Sequence, residues 1–331
     1  MMDDYNFSVI ITAYNIQEYI EKAIHSVLEQ SYSAFEIIVV DDGSVDETAN
    51  IAIKALTRTK NSQVFRQKNK GPGGARNRGI AAATGDYLVF LDGDDWILEN
   101  ALEIFNTELS TGPDAIFSNR CWFYEKSNKF VADNVFTKST QGPVVPKREL
   151  LRRYAVPGKA FKREFLILNQ IFFPEGMVWE DYPFSYNILA KAKNISVIID
   201  VTYVARKRHG VNQSMTQKRR LGEFFLQSRF RQIDMDRSII KNSSLPLIFK
   251  NFNFDKMEFD NRLMKDVIYL EIEKDDEIVL HALKRLKNYI FDNQKIIMNN
   301  VSMTVEKIYT SILAENLVDT IKYIQQHKKK N

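Results

Sequence analysis

Acidic residues follow two apolar stretches of the sequence, and their types and spacing could support chemistry on a charged ligand. VVDDGS places Asp41 and Asp42 directly after two valines, and LDGDDW places Asp92, Asp94 and Asp95 after a leucine. Strand alternation sends Asp92 and Asp94 to one side if the extended geometry persists. Two carboxylates on one side repel unless a cation joins them, and Mg²⁺ or Mn²⁺ binds carboxylate oxygens together with substrate phosphates. The D-x-D spacing therefore predicts a site for a metal-bound nucleotide, with a simple polar turn as the alternative.

Three apolar stretches supply the scaffold that would position these acids. FSVIITAY (7–14), FEIIVV (35–40) and DYLVFLDGDDW (86–96) are typical of buried strands, and apolar residues at helical spacing follow the first two. The order βαβαβ implies an α/β protein with a parallel, right-handed, doubly wound sheet. Ligands of open α/β sheets bind at the carboxyl ends of the strands, so both acidic stretches fall where a ligand would bind.

A glycine-rich stretch, GPGGARNRGIAAATG at 71–85, lies between the two acidic strand ends and predicts a turn that leads into a helix of small residues. It lacks the Lys-Ser/Thr ending of a Walker loop, and it does not follow the first strand as a dinucleotide fingerprint would. The alternative for the glycines is close packing of a helix on the sheet, and for Arg76 it is a surface charge. The concentration of acid and glycine around one sheet edge favours a binding site.

A second, helix-rich part of the chain begins near residue 220. VLHALKRLKNYI (279–290) and VEKIYTSILAENLVDTIKYI (305–324) carry apolar residues at three and four spacing, as in Leu283, Leu286 and Ile290. We predict two domains, 1–220 and 221–331, of which the second is a helical subdomain. Its apolar faces favour packing and homo-oligomer formation over cofactor binding.

Composition limits the classes of partner. The 331 residues carry 46 basic and 42 acidic side chains, a balance that argues against a nucleic-acid protein. Basic clusters at 205–220 and 327–330 indicate solvated segments, with contact to an anionic membrane surface as the alternative for the second. One cysteine, Cys121, excludes a disulfide framework. With neither a signal peptide nor a bilayer-spanning run in evidence, we expect a cytoplasmic protein, with peripheral contact to the inner face of the membrane as an option.

Five motifs taken in order resemble the inverting family 2 glycosyltransferases: SVIITAYN, EIIVVDDGS, GGARNRGI, GDYLVFLDGDD and VWEDYPF. The resemblance runs from residue 7 to about 210. It implies a GT-A fold, a Rossmann-like domain for nucleotide-diphosphate sugars, followed here by the helical subdomain. It also implies transfer from a UDP-sugar to a glycan or lipid-linked glycan, with Mn²⁺ or Mg²⁺, in bacterial capsule, lipooligosaccharide or teichoic-acid synthesis. The Q-x-x-R-W sequence of processive members is absent, which favours addition of one sugar per encounter.

The resemblance also implies roles for individual residues. The end of the first strand would cradle the nucleoside, with Tyr14 near the base, and Asp42 would accept a hydrogen bond from uracil, while Asp41 supports the turn. Asp92 would hold the ribose side and Asp94 would ligate the metal. The remaining substrate-binding residues would be Thr12, Ala13, Asn69, Arg76 and Gly93, of which Asn69 and Arg76 line the uridine pocket.

VWEDYPF (178–184) supplies the last carboxylates. An inverting transfer is a single displacement, and the acceptor hydroxyl attacks well only if a base takes its proton. The ED pair of the family favours Asp181 as this base, with Glu180 ordering the site or contacting the acceptor; a helix N-terminus carrying acids is the alternative. His209, in RKRHG, corresponds to a second metal ligand or phosphate contact in relatives, and an exposed loop histidine is its alternative.

Two other functions remain open at this point. A sugar-nucleotide nucleotidyltransferase shares the nucleotide-binding βαβ domain, but its G-x-G-T-R loop is absent after the first strand, where this sequence has TAYNIQEY. A noncatalytic nucleotide-sugar binding module is disfavoured by the presence of both Asp94 and Asp181.

Overall fold

The computed structural model describes residues 6–142, 150, 153, 155–209, 223–243, 259, 263–264 and 277–328. The chain divides into two compact units, residues 1–214 and 215–331. The predicted boundary between residues 220 and 221 lies outside the described residues, so it stays a prediction.

The first unit alternates strands and helices over its first hundred residues. Its strands are β1 (Phe7–Ala13), β2 (Phe35–Asp41), β3 (Ser62–Arg66), β4 (Tyr87–Asp92), β5 (Trp96–Ile97), β6 (Ala115–Tyr124), β7 (Lys129–Asp133), β8 (Lys159–Lys162) and β9 (Ile195–Lys207). Its helices are α1 (Ile20–Leu28), α2 (Thr48–Leu56), α3 (Gly71–Ala82), α4 (Ala101–Glu108), α5 (Arg163–Leu168) and α6 (Asp181–Lys191).

The described strands form one mixed sheet in the order β3-β2-β1-β4-β8-β6-β9-β5, with β7 paired to β6. Strands β3, β2, β1 and β4 are parallel, as predicted for β1, β2 and β4. Strand β8 is antiparallel to both β4 and β6, so the sheet is mixed beyond the three strands for which parallel pairing was predicted. Strand β3 was not predicted because SQVFR offers only two apolar residues, and its side chains are exposed or half-buried.

Uninterrupted Val and Ile runs place the core of the first unit between the sheet and its helices. Val9, Ile11, Ile37 and Val39 are fully buried, as expected for strands covered on both faces. The helix α3 begins at Gly71, so the glycines form its first turn rather than a turn ahead of it. A Cβ at Gly79 would overlap the side chain of Ile10, which shows that a glycine permits the close approach of α3 to the sheet.

The second unit is helical where it is described. Its helices are α7 (Glu223–Asn242), α8 (Glu277–Asp292), α9 (Gln294–Asn300), α10 (Met303–Leu313) and α11 (Leu317–Lys328). The apolar stripe predicted within 279–290 lies in α8, where Leu286 and Ile290 are fully buried and Leu283 packs against the same core. None of the described helices combines the length and the apolar character needed to span a bilayer.

Candidate active site

Three strand ends bring the predicted nucleotide-binding residues to one edge of the sheet. Ala13 is opposite Asp41 and Thr12 is opposite Asp92 in the parallel register. The backbone N–H of Asp42 donates to the carbonyl of Ala13 at 2.8 Å, and that of Gly93 donates to Thr12 at 2.9 Å. A Cβ at Gly93 would lie 2.8 Å from the Thr12 carbonyl oxygen. The close approach of the chain after β4 to the end of β1 therefore requires a glycine.

The acids after β2 hold the chain around this edge. Asp42 is buried, and its Oδ1 accepts hydrogen bonds from Gln67 Nε2 at 2.8 Å and from the Lys70 backbone N–H at 2.9 Å. Asp41 accepts from the backbone N–H of Ser44 at 3.3 Å, which confirms its expected support of the turn. Sequence reasoning did not identify Gln67, which follows the unpredicted strand β3.

Two of the predicted nucleoside contacts lie at the rim of the edge. Tyr14 follows β1, and 43% of its surface is exposed. Asn69 is also exposed, and its Oδ1 accepts from the Gly71 backbone N–H at 3.1 Å, at the first residue of α3. Both side chains are therefore open to a ligand approaching the carboxyl ends of β1 and β2.

Arg76 joins the acid at the end of β4 to the acids at the start of α6. Its Nη2 donates to Asp92 Oδ1 at 2.8 Å, while its Nη1 donates to Glu180 Oε1 at 2.5 Å and to Asp181 Oδ1 at 3.0 Å. Only 3% of Arg76 is exposed. Burial opposes the charge, but Asp181, Asp92 and Glu180 together hold the pKa of the guanidinium well above its usual range. The surface-charge alternative for Arg76 is therefore wrong.

Glu180 and Asp181 differ in access to solvent. The Glu180 side chain is 8% exposed and the Asp181 side chain 20%. Burial raises the pKa of Glu180 to about 7; the charge of Asp181 adds to this rise and Arg76 opposes it. Burial also raises the pKa of Asp181. The charge of Arg76 opposes this rise and the charge of Asp92 adds to it. The Val156 N–H and Lys159 also lower the pKa. Asp181 is thus the acid of the pair that a second substrate reaches more easily.

Strand β9 and the residue that follows it supply the partners of the acids after β4. Arg208 Nη2 lies 2.5 Å from Asp94 Oδ2. The Tyr203 hydroxyl donates to Asp95 Oδ2 at 2.6 Å, and the Arg206 backbone N–H donates to Asp95 Oδ1 at 2.6 Å. Burial raises the pKa of Asp94; Arg208 opposes the rise and Asp92 adds to it. The basic cluster at 205–220 was the sequence signal for the two arginines, but nothing in the sequence indicated Tyr203.

A divalent metal would have few protein ligands here. No group of three or more His, Cys, Asp or Glu side chains within the described ranges could hold a metal ion. His209 is exposed, and its backbone N–H donates to Glu125 Oε2 at 2.9 Å; its role as a ligand stays a prediction. The carboxylate of Asp94, close enough to Asp92 to feel its charge, is an oxygen donor suited to Mg²⁺ or Mn²⁺. Asp94 would supply one oxygen ligand to such an ion, and a bound diphosphate would have to supply others.

Comparison with known sequences gives a family match. A family model described as Glycosyl transferase family 2 matches residues 8–173. The chain is similar to the Uncharacterized glycosyltransferase EpsJ of Bacillus subtilis (strain 168), with 30% identity over 210 residues that make up 60% of this chain and 60% of that protein. The chain thus spans about 60% of the length of this curated relative.

Two solved structures share the fold. TarS 1–349 of S. aureus, in complex with UDP-GlcNAc, has a TM-score of 0.73 and 21% identity, with 98% of this chain and 92% of that chain covered. The mannosyltransferase PcManGT of Pyrobaculum calidifontis, in complex with GDP-Man and Mn²⁺, has a TM-score of 0.57 and 16% identity, with 99% and 89% covered. The predicted GT-A fold with C-terminal helices is therefore confirmed.

Proposed function

The chain belongs to glycosyl transferase family 2, and we propose on this basis that it is an inverting enzyme that moves a sugar from a UDP-sugar to a hydroxyl of a glycan acceptor. The observation that carries the proposal is the meeting of three carboxylates on Arg76. It places the β4 end, where a nucleotide would bind, beside the pair that contains a candidate base. The product would be a bacterial surface polysaccharide of the capsule, lipooligosaccharide or teichoic-acid kind.

The donor would bind along the carboxyl ends of β1, β2 and β4. Support for a UDP-sugar comes from the complex of TarS with UDP-GlcNAc and from the polar edge that includes Thr12, Asp42 and Asp92. Asp42 has one oxygen held by Gln67 and Lys70, so its carboxylate is already fixed in place before a nucleobase arrives. The remaining predicted donor contacts are Ala13, Tyr14, Asn69 and Gly93.

Asp181 would act as the general base. It is more exposed than Glu180, and a base must come within about 3 Å of the hydroxyl proton that it takes. Glu180, buried against Arg76, would order the site or contact the acceptor. As Asp181 takes the proton, the acceptor oxygen attacks the anomeric carbon from the side opposite the diphosphate. The bond between that carbon and the diphosphate oxygen breaks, UDP leaves with the bonding electrons, and the configuration inverts.

Asp94 would hold a divalent ion against the diphosphate, and His209 is a candidate second ligand. When bound, the ion would supply positive charge to the leaving UDP. The Mn²⁺ in the PcManGT complex supports such use, as does the hard oxygen donor at the end of β4. The chain's own contribution is to fix the Asp94 turn, through the hydrogen bond that the Arg206 Nε donates to the Asp94 carbonyl at 2.7 Å.

The acceptor would be a glycan or a lipid-linked glycan, and the enzyme would work in the cytoplasm. Contact with the inner face of the membrane through the basic tail and homo-oligomer formation through the C-terminal helices are further parts of this proposal. Nucleic acid is not among the proposed partners, because the balance of 46 basic and 42 acidic residues offers no strong excess of positive charge.

An assay of the released product tests the proposal. We expect the full chain, with Mn²⁺, a panel of UDP-sugars and a glycan acceptor, to release UDP and to form a product of inverted anomeric configuration, read by NMR. Release of pyrophosphate would instead indicate a nucleotidyltransferase. Donor binding without release of either would indicate a binding module. Asp86→Asn, an exposed acid at the opposite end of β4, serves as a control variant for substitutions in the site.

A further inference from the structure

Arg76 has its donors committed to acids rather than directed into the predicted nucleoside pocket. Nη1 contacts both Glu180 and Asp181, and Nη2 contacts Asp92. The centre of the guanidinium lies 5.1 Å from the centre of the Phe173 ring, so one face of the group packs against an aromatic side chain. A turn of this side chain toward a nucleobase would leave three carboxylates without their shared cation.

We propose that Arg76 is a positioning residue that keeps the Asp181 carboxylate charged and fixed in orientation for the acceptor hydroxyl, and that it does not bind the uracil ring. This inference rests on the proposed function, in which Asp181 is the base. It revises the role in the uridine pocket that the sequence resemblance implies for Arg76.

The fixed orientation of the Asp181 carboxylate follows from two hydrogen bonds to the same carboxyl group. Oδ1 of Asp181 accepts from Arg76 Nη1 at 3.0 Å, and Oδ2 accepts from the Val156 backbone N–H at 3.4 Å. A carboxylate held at both oxygens has a defined plane. Hydrogen bonds to ionised groups are shorter and stronger than those between neutral groups, so the contact with the guanidinium is the stronger of the two.

The charge part follows from the groups that face Asp181. Arg76 of α3 and Lys159 of β8 are the cations, while Asp92 of β4 and Glu180 add negative charge. Lys159 is fully buried, and burial lowers the pKa of its amine well below the usual range, with Arg153 adding to the effect. Arg76 is the cation that donates a hydrogen bond to Asp181, so its removal should raise the pKa of that carboxyl.

Replacement of Arg76 separates the two roles. We expect Arg76→Gln to raise the apparent pKa of Asp181, read by ¹³C NMR of the carboxyl carbons and assigned with Asp181→Asn, by about 1 to 3 pH units. Because the base must be deprotonated, the acid limb of the kcat–pH profile moves to higher pH by the same amount. The ratio of the Kd values for UDP and CDP should stay within about twofold of its wild-type value. A side chain that does not contact the nucleobase cannot discriminate between uracil and cytosine.

Three further variants support the test: one controls for the lost charge, and two serve if Arg76→Gln does not fold. Arg78→Gln, an exposed arginine on the same helix, removes an equal charge and should move neither the NMR titration nor the pH profile. If Arg76→Gln does not fold, two other variants take its place. Arg76→Gln/Glu180→Gln also removes one of the buried carboxylates that would be left unpaired. Arg76→Lys keeps the positive charge but loses the second nitrogen that lets the guanidinium contact several acids at once. We expect a smaller rise in the Asp181 pKa in the double variant, and a reduced kcat with a nearly normal acid limb in the lysine variant.

The outcomes distinguish this inference from the proposed function. Loss of the UDP-over-CDP preference with an unchanged Asp181 titration overturns the inference and restores the uridine role. An unchanged titration and an unchanged acid limb also overturn it. A wild-type chain that releases no UDP, but whose Asp181 titration still depends on Arg76, overturns the proposed function and leaves the positioning of Asp181 by Arg76 intact.

Discussion

The acids that follow β4 and the acids at the start of α6 are stabilised differently. Asp94 and Asp95 each have partners of their own on the β9 side, Arg208 for the first and Tyr203 for the second. Glu180 and Asp181 share the single Nη1 of Arg76. Loss of one partner therefore affects one acid after β4 but both acids at the start of α6. The acids after β4 can therefore be perturbed one at a time, whereas the two acids at the start of α6 respond together to any change at Arg76.

The largest effect should come from Asp181→Asn. The amide has nearly the same shape but cannot take the acceptor proton at neutral pH, so we expect transfer to fall about a hundredfold to ten-thousandfold. Donor affinity, measured by calorimetry, should be retained. Glu180→Gln should cost less, because the glutamine can still accept a hydrogen bond from Arg76.

The pH profile distinguishes the two acids further. Burial raises the pKa of Glu180 to about 7, so a base at Glu180 would lose activity as the pH falls through 7. An acid limb that is still present in Glu180→Gln supports Asp181. A near wild-type rate for Asp181→Asn would contradict the assignment and make Glu180 the next residue to test.

The partner of Asp94 can be tested by metal binding alone. Arg208 occupies the carboxylate that would ligate the ion, and the two side chains are only 11% and 15% exposed. We expect Arg208→Gln to bind Mn²⁺ about tenfold more tightly in the absence of nucleotide, because an ion pair of roughly 1.4 kcal/mol no longer competes. Asp94→Ala should not bind Mn²⁺ measurably. Titration followed by electron paramagnetic resonance gives both values, and weaker binding by Arg208→Gln would show that Arg208 does not compete for Asp94.

The two groups of acids also differ in how far the sequence predicts them. Continuous apolar runs identify β1, β2 and β4, and parallel pairing then brings Asp42 and Asp92 to one edge, as the structure confirms. The contact between Arg76 and Glu180 joins residues that are 104 positions apart in the sequence. The chain between them includes the antiparallel strand β8, so no local sequence pattern predicts this contact. Arginine is rarely fully buried, so composition favours a surface position for Arg76. The sequence signal for a buried Arg76 was its position among the small residues of α3, on the face that packs against the sheet.

The smallest expected effect on ligand affinity concerns a pair of buried tyrosines, Tyr203 of β9, which contacts the end of β4, and Tyr87, which begins β4. The Tyr203 hydroxyl donates to Asp95 at 2.6 Å and accepts from the Asp92 backbone N–H at 3.2 Å, whereas the Tyr87 hydroxyl donates to the Pro113 carbonyl at 2.8 Å. Tyr203→Phe should cost roughly 1.5 to 3 kcal/mol of unfolding free energy, because its partner is a carboxylate, and Tyr87→Phe about 1 kcal/mol. Urea unfolding measures both.

Activity separates these two tyrosine variants. Tyr203→Phe loosens the turn that carries Asp92, Asp94 and Asp95, so we expect Mn²⁺-dependent UDP affinity to fall about threefold, which corresponds to ~0.7 kcal/mol. The same variant should leave the Asp181 acid limb in place, because Tyr203 contacts neither Glu180 nor Arg76 among the described hydrogen bonds. Tyr87→Phe should change neither quantity. If Tyr203→Phe moves the acid limb as far as Arg76→Gln does, the two groups of acids titrate together and the distinction between them fails.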